Sequence, residues 1–219
     1  MGLIISLASA TPRGGVALFD GSNLLTTREI SASQTSGATL LPLTEECLAE
    51  AGRSLKDVAA VAISLGPGSF TGLRVGLATA LGLVESVGVK LLAIPSLPTV
   101  ARAAQVETAS DGVVCATLNA GRGLLYAQRF RGDIKIEEAV MLPTDQLTRQ
   151  LPADVYLVGE ELSSEKLPGR VISGYNWVSP IALGELSASR FEQGRFDDPM
   201  TVKLLYIKEP AVLQKQRSR

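Results

Sequence analysis

The sequence contains no histidine among its 219 residues, and this absence excludes several kinds of active site. Histidine is the base of Ser-His-Asp and Cys-His catalysis and the commonest protein ligand of zinc. Two cysteines, Cys47 and Cys115, are too few for a disulfide framework or a structural zinc site. Cys115 lies in the apolar run Val113–Leu118 and Cys47 precedes Leu48 on a predicted helix, so we expect both to be small, buried, reduced side chains. Carboxylates alone would suit magnesium or calcium, and we predict no metal site.

The sequence also lacks a surplus of basic residues and a long uninterrupted apolar run. It carries 21 Lys and Arg against 22 Asp and Glu, whereas a protein that grips nucleic acid by itself needs cationic side chains for the phosphates. We therefore expect that the chain does not bind RNA directly and by itself. No apolar stretch reaches transmembrane length without a charge or turn residue, so we predict a cytoplasmic protein without a membrane partner.

The first hundred residues predict an alternation of strands and helices. Three strands precede the first helix, and two helix-linked strands follow it, which indicates a mixed sheet with helices on its faces. The predicted strands are Leu3–Ala8, Val16–Phe19, Leu24–Ile30, Val58–Ser64 and Lys90–Ile94, and the predicted helices are about Ala38–Ala51, Thr71–Val87 and Ser96–Gln105.

A polar stretch after residue 105 predicts a boundary between a first lobe, residues 1–105, and a smaller second lobe, residues 106–219. The second lobe again begins with apolar runs separated by turn residues. Its predicted strands are Val113–Leu118, Leu124–Phe130, Ile134–Met141 and Val155–Val158, followed by a charged loop over Gly159–Arg170 and a helix over Pro180–Phe191.

A glycine-rich loop lies between a buried strand and the second helix. Its residues are Gly66, Pro67, Gly68, Ser69, Phe70, Thr71 and Gly72, with Arg74 one turn further on. The glycines and the start of a helix could cradle a phosphate, although the lysine of a Walker loop is missing. Ser69 could be a nucleophile, although the Gly-x-Ser-x-Gly pattern is not matched. The loop could instead be a structural turn in which Ser69 or Thr71 caps the helix.

The helix after this loop has apolar residues on nearly every side. Only Arg74 and Glu85 are charged between Phe70 and Val87, whereas an ordinary surface helix has a polar face. Small residues recur every fourth position and would allow another helix to approach closely; this ridge comprises Gly72, Gly76, Ala80 and Val84, beside Leu73, Leu77 and Leu81. The pattern indicates a subunit interface or, as an alternative, burial by the second lobe of the same chain.

The element order and the run Gly66-Pro67-Gly68-Ser69-Phe70-Thr71-Gly72-Leu73-Arg74-Val75-Gly76 resemble the TsaB (YeaZ-like) family of bacterial tRNA threonylcarbamoyladenosine synthesis. The resemblance covers mainly residues 3–105 and continues weakly at Leu118–Tyr126 and Tyr206–Lys208. It implies an actin-like ATPase (ribonuclease H-like) α/β fold in two lobes, with a mixed sheet flanked by helices.

The same resemblance implies a non-catalytic scaffold subunit that binds a TsaD-like catalytic subunit, is joined by a TsaE-like ATPase, and forms homodimers when alone. It implies no cofactor in the isolated chain and allows ATP or ADP only in the complex. The residues that it assigns to the partner interface lie on the first two helices; they are Leu40, Leu41, Leu48, Gly72, Leu73, Gly76, Leu77 and Ala80.

Three positions depart from the pattern of the family. Ala8 replaces the aspartate that usually ends the first strand and serves the metal–phosphate site of actin-like proteins. Ser36 replaces a common histidine, and Asn119 replaces an aspartate of the second motif. These departures indicate a divergent member that does not hydrolyse nucleotide.

An enzymatic function is the alternative to a scaffold. A metal-independent hydrolase or peptidase of the glycoprotease-like class would need a nucleophile with a base, and Ser69 or Thr71 has no histidine to serve it. A relative of sugar or acetate kinases would need an acidic residue at the position of Ala8. We therefore predict no catalytic residue.

Overall fold

The computed structural model describes residues 2–30, 36–105, 108, 112–159 and 170–207. The chain divides into two compact units, Met1–Thr99 with Trp177–Leu205, and Val100–Asn176 with Tyr206–Arg219. This division differs from the predicted boundary at residue 105, because residues 177–205 return to the first unit and cover one face of its sheet.

The first unit contains a five-stranded mixed sheet. Its strands are β1 (Leu3–Ala8), β2 (Gly14–Asp20), β3 (Asn23–Ile30), β4 (Val58–Ser64) and β5 (Lys90–Ile94), in the order β3-β2-β1-β4-β5. The first three strands form an antiparallel meander, and β4 and β5 continue the sheet in parallel with β1. This is the predicted topology of the actin-like fold, and β1, β4 and β5 have the predicted bounds.

Helices α1 (Ser36–Glu50) and α2 (Phe70–Val87) pack on one face of this sheet. Leu40 and Cys47 of α1 and Ala80 of α2 share a buried cluster with Val61 and Ile63 of β4. Alternate residues of β4 point to the opposite face, as the twofold period of a strand requires. Both faces of the sheet are therefore covered, which explains the almost continuously apolar sequence of its strands.

Helix α5 (Pro180–Glu192) covers the second face. Its Ala188 packs in a cluster with Ile4 of β1 and Phe19 of β2, together with Ala62 of β4. Ser6 Oγ donates to the Pro180 carbonyl at 2.7 Å, which fixes the start of α5 against β1. The sequence predicted this helix correctly, but it did not predict that α5 belongs to the first unit.

The free edge of β5 is capped by side chains and by one isolated bridge. The Ala93 amide donates to the Asp197 carboxylate at 2.7 Å, and Arg190 donates to the Ala93 carbonyl at 2.7 Å. Arg190 and Asp197 also form an ion pair at 3.0 Å, and the Asp197 amide donates to Leu91 at 2.9 Å. These groups occupy hydrogen-bonding positions that a further strand would otherwise use.

Helix α3 (Ser96–Ala104) links the first sheet to the second unit. The elements of the second unit are β6 (Val113–Gly121), β7 (Leu124–Arg131), β8 (Ile134–Lys135), β9 (Val140–Pro143), α4 (Thr144–Gln150), β10 (Tyr156–Val158) and β11 (Arg170–Ile172). The strands form a six-stranded sheet in the order β11-β10-β6-β7-β8, with β9 also paired to β7.

The predicted strand over Ile134–Met141 is wrong in one respect, because it is divided between β8 and β9. Glu137 lies at the interruption and forms two hydrogen bonds with Arg129 of β7, at 2.7 and 2.6 Å. Its carbonyl also accepts a bond from Gln128 at 2.9 Å, and the Ile136 amide donates to the Arg129 carbonyl at 2.9 Å, so side-chain and backbone bonds together hold this segment against β7. The predicted charged loop lies largely at residues 160–169, outside the described residues.

Candidate partner interface and glycine-rich loop

The glycine-rich loop is clamped onto the turn that follows β1. The Ser69 amide donates to the Ala10 carbonyl at 2.7 Å, and Ser9 Oγ donates to the Gly72 carbonyl at 2.9 Å. Ser9 and Ala10 are both buried, so these bonds replace lost contacts with water. The loop therefore joins the start of α2 to the end of the first strand.

Ser69 is the N-cap of α2, which confirms one of the two predicted caps. Its Oγ accepts a hydrogen bond from the Gly72 amide at 3.3 Å, and its carbonyl accepts one from Leu73 at 2.9 Å. The helix ends where predicted, at Gly88, whose φ of 68° is left-handed and whose amide donates to Val84 at 2.8 Å. Both ends of α2 are thus fixed by local sequence signals.

The loop glycines leave no room for larger side chains. A Cβ at Gly68 would meet the Ala10 carbonyl oxygen, and one at Gly72 would meet the Ser9 carbonyl oxygen. A Cβ at Gly76 would meet Ser9 Oγ and would approach Ile63 Cδ1 to 2.9 Å. These glycines let the backbone of α2 approach the β1–β2 turn, which favours the structural turn among the three readings of the loop.

The structure corrects the predicted orientation of the small-residue ridge. Gly72, Gly76 and Ala80 point toward the sheet of their own unit and are buried there, together with Leu73. On α1, Leu40 and Leu48 are buried in the same way. These six residues cannot line an interface while the unit is folded, because their contacts are already made within the chain.

The outward faces of the same helices remain uncovered by the described residues. Leu41 of α1 is 51% exposed, Leu77 of α2 is half-buried, and Phe70 at the start of α2 is 52% exposed. Ala78 and Gly82 are exposed, and a Cβ added at Gly82 would have nothing within 4 Å. We call the outward residues of these two helices the helical face; its members are Leu41, Pro42, Glu45, Phe70, Thr71, Arg74, Leu77, Ala78, Leu81, Gly82 and Glu85.

The charged residues of the helical face are Glu45, Arg74 and Glu85. Arg74 lies over the Phe70 ring at 3.7 Å, an arrangement that attracts a cation to the negative face of an aromatic ring. Beside the face on α1, Glu46 and Glu50 are paired with Arg28, the former at 3.6 Å. Between these charged positions the face is apolar or carries small side chains, which resembles the core of a protein interface.

The length and apolar composition of α2 are also those of a membrane-spanning helix. Among the described residues it is the one helix long and apolar enough to cross a membrane, with 33% of its residues buried. Core helices of water-soluble proteins have the same length and composition. Its inward residues pack on the sheet in the cluster that contains Ile63 and Ala80, and this contact accounts for much of its apolar character.

The structure places the Ser69 hydroxyl and both cysteine thiols in settings that do not activate them as nucleophiles. Ser69 is used as a helix cap, and its hydroxyl accepts a bond from a backbone amide rather than facing a base. Burial raises the pKa of the Cys47 thiol, and burial raises the pKa of Cys115 to about 12, so neither thiol is an activated nucleophile. Within the described parts of the chain, no three Cys, Asp or Glu side chains are grouped to hold a metal ion.

The three departures from the family pattern occupy different settings. Ala8 is fully buried at the end of β1, and Asn119 Oδ1 accepts a bond from the Gly121 amide at 2.6 Å in the turn after β6. Ser36 is the first residue of α1. The side chain at position 8 is an apolar methyl group without a metal-binding atom.

Comparison with known proteins places the chain in a family. Residues 30–172 match the family model "TsaD: tRNA N6-adenosine threonylcarbamoyltransferase". The chain is 25% identical to the tRNA threonylcarbamoyladenosine biosynthesis protein TsaB of Haemophilus influenzae, over 99% of this chain and 98% of that protein. It is 29% identical to TsaB of Escherichia coli over 59% of this chain, and this match spans about half (55%) of that protein.

A solved structure of YeaZ from Pseudomonas aeruginosa has the same fold. It superimposes with a TM-score of 0.82 at 22% sequence identity, covering 94% of this chain and 100% of that chain. The matched family model, the TsaB relatives and this fold lead to one conclusion. The chain belongs to the TsaB (YeaZ-like) family, within the wider group that the TsaD family model describes.

Proposed function

We propose that this chain is a non-catalytic scaffold or activating subunit of bacterial tRNA threonylcarbamoyladenosine synthesis. Its relatives carry the name of that biosynthesis, and the observation that carries the role of a binding subunit is the helical face. This face presents Leu41, Phe70 and small α2 residues to the outside, with the fold already complete beneath it. Apolar surface of this kind is stabilised by covering it with a partner.

The proposed partner on the helical face is a TsaD-like catalytic subunit. A TsaE-like ATPase joins the pair, and tRNA is contacted through the complex, because the chain has 21 basic and 22 acidic residues. In the absence of the catalytic subunit, two copies of the chain pair through the same face. The complex is cytoplasmic and needs no membrane.

The isolated chain is proposed to be inactive and to bind no nucleotide. Two observations support this: the loop glycines are packed against Ser9 and Ala10, and Ala8 offers no metal ligand. ATP or ADP belongs to the complex. The competing function, a metal-independent hydrolase of the glycoprotease-like class, lacks support because the Ser69 hydroxyl is engaged as a cap and the sequence has no histidine to activate it.

Reconstitution tests this proposal. The TsaD-like and TsaE-like subunits of the same organism are incubated with tRNA, ATP and the threonylcarbamoyl donor system, with and without this chain. Threonylcarbamoyladenosine in the digested tRNA is measured by mass spectrometry. We expect product only when the chain is present, and little product with Gly82→Arg, which leaves the interior unchanged. Equal product without the chain would contradict the proposal.

A further inference from the structure

Two buried serines lie at the carboxyl ends of neighbouring strands in the first unit. Ser64 is the last residue of β4, and Ser96 follows β5 as the first residue of α3. Both residues are 0% exposed. Neither hydroxyl forms a hydrogen bond with the part of the chain that the structure describes. A buried hydroxyl without a partner costs free energy, so a fold that keeps two of them side by side needs a physical reason.

Other buried serines of the same unit have direct partners within the chain. Ser6, Ser9 and Ser187 each donate a hydrogen bond to a backbone carbonyl, at 2.7, 2.9 and 2.6 Å respectively. Their hydroxyls are therefore satisfied by the protein itself. The contrast sets Ser64 and Ser96 apart from the buried serines around them.

The backbone holds the two serines near each other. Ser64 is paired with Ile94 in the parallel ladder between β4 and β5. Beyond this pair, the Leu65 amide donates to the Ile94 carbonyl at 2.8 Å. The Ser96 amide then donates to the Gly66 carbonyl, also at 2.8 Å. Ser96 thus lies two residues beyond the ladder partner of Ser64, a separation that one small ligand can bridge.

The neighbouring strand presents a small apolar side chain to this place. Ala8 is the last residue of β1, as Ser64 is of β4, and the ladder pairs the residues just before them, Leu7 and Ile63. Because successive side chains of a strand alternate between the faces of the sheet, Ala8 and Ser64 point to the same face. Ala8 is fully buried, and its methyl group offers the hydroxyl no partner.

We propose that one internal water molecule binds between Ser64 and Ser96 and bridges their hydroxyls. Water fits because a hydroxyl both donates and accepts hydrogen bonds, as water does, and because both groups are closed off from solvent. A buried water makes about three hydrogen bonds to polar groups that lack a protein partner. The bridge ties the start of the glycine-rich loop, at Gly66, to the start of α3. This inference does not depend on the proposed function.

A double-mutant cycle tests the bridge. Urea denaturation compares the wild type with Ser64→Ala, Ser96→Ala and the double variant. Loss of either hydroxyl removes a partner of the water, so each single variant should raise the unfolding equilibrium constant about fivefold. The second substitution should add less than about a further twofold, because the water that it would release has already been lost. Ser187→Ala is the matched control; its effect should multiply with that of Ser64→Ala, since the two residues share no partner.

Three results would overturn the proposal. A single variant at least as stable as the wild type means that its hydroxyl is unpaired and dry, because removing such a group relieves a cost. Effects of Ser64→Ala and Ser96→Ala that multiply mean that no ligand joins the two residues. A crystal structure of the wild type that resolves internal waters should show one within about 2.5–3.0 Å of both serine oxygens, and a structure without it contradicts the bridge.

Discussion

The two sides of α2 show the same kind of sequence in different surroundings. Gly72, Gly76 and Ala80 on the inward side are spaced by four residues, and so are Ala78 and Gly82 on the outward side. On the inward side, a Cβ at Gly72 would meet the Ser9 carbonyl oxygen, whereas one at Gly82 would meet nothing within 4 Å. Small residues in a helix therefore indicate close approach, but not which neighbour approaches.

The largest loss of stability should come from placing a larger side chain on the inward side of α2. In Gly72→Val the Cβ must displace the backbone of Ser9, which is buried and cannot retreat into solvent. We expect the free energy of unfolding to fall by roughly 3 kcal/mol or more, measured by urea denaturation. Gly82→Val is the matched control on the same helix and should change it by less than about 0.5 kcal/mol. Equal losses in both variants would remove the distinction between the two sides.

An intermediate loss of stability is expected from a substitution in the glycine-rich loop. Gly68 has a φ of 157°, and a Cβ there would meet the Ala10 carbonyl oxygen. Gly68→Val should lower the free energy of unfolding by roughly 1–3 kcal/mol through strain.

Added ATP should leave the melting temperature of the isolated wild type unchanged, because only a ligand of the folded state raises it. Micromolar ATP binding that Gly68→Val abolishes without unfolding would restore the phosphate cradle.

The sequence predicted the first unit well because its signals are local. The bounds of β1, β4 and β5, the Ser69 cap and the Gly88 stop each depend on a few neighbouring residues, and the structure confirms them. The inward direction of Gly76 could not be predicted in this way, since it depends on contact with Ser9, more than sixty residues earlier. The return of α5 to the first sheet is likewise a long-range contact, fixed by Phe19 and by Ser6 against Pro180.

A smaller effect, of opposite sign, is expected from filling the outward side with a methyl group. Gly82→Ala removes the conformational freedom of glycine in an exposed helix and meets no neighbour. The isolated chain should gain about 0.5–1 kcal/mol in the free energy of unfolding, measured as a higher urea midpoint under monomeric conditions. A loss of stability would show that the outward side is already occupied within the chain.

The smallest expected change concerns Cys47, on the inward side of α1. The thiol is 1% exposed, and burial raises its pKa, so little thiolate is available at pH 8. A thiol reagent should label neither cysteine of the native wild type or of Gly82→Val within minutes. Labelling should become fast in Gly72→Val, where the inner layer opens. Rapid labelling of the native wild type would mean that this layer is not closed.

The most direct test of the account is the affinity of the chain for the TsaD-like subunit of the same organism. Calorimetric titration should compare the wild type with Gly82→Arg and with Gly82→Ala as the matched control. We expect Gly82→Arg to weaken binding at least about a hundredfold, equivalent to about 2.7 kcal/mol, because a large cation enters the centre of the helical face. Gly82→Ala should bind within about threefold of the wild type. Wild-type affinity in Gly82→Arg, with its melting temperature unchanged, would contradict the assignment of this face to the partner.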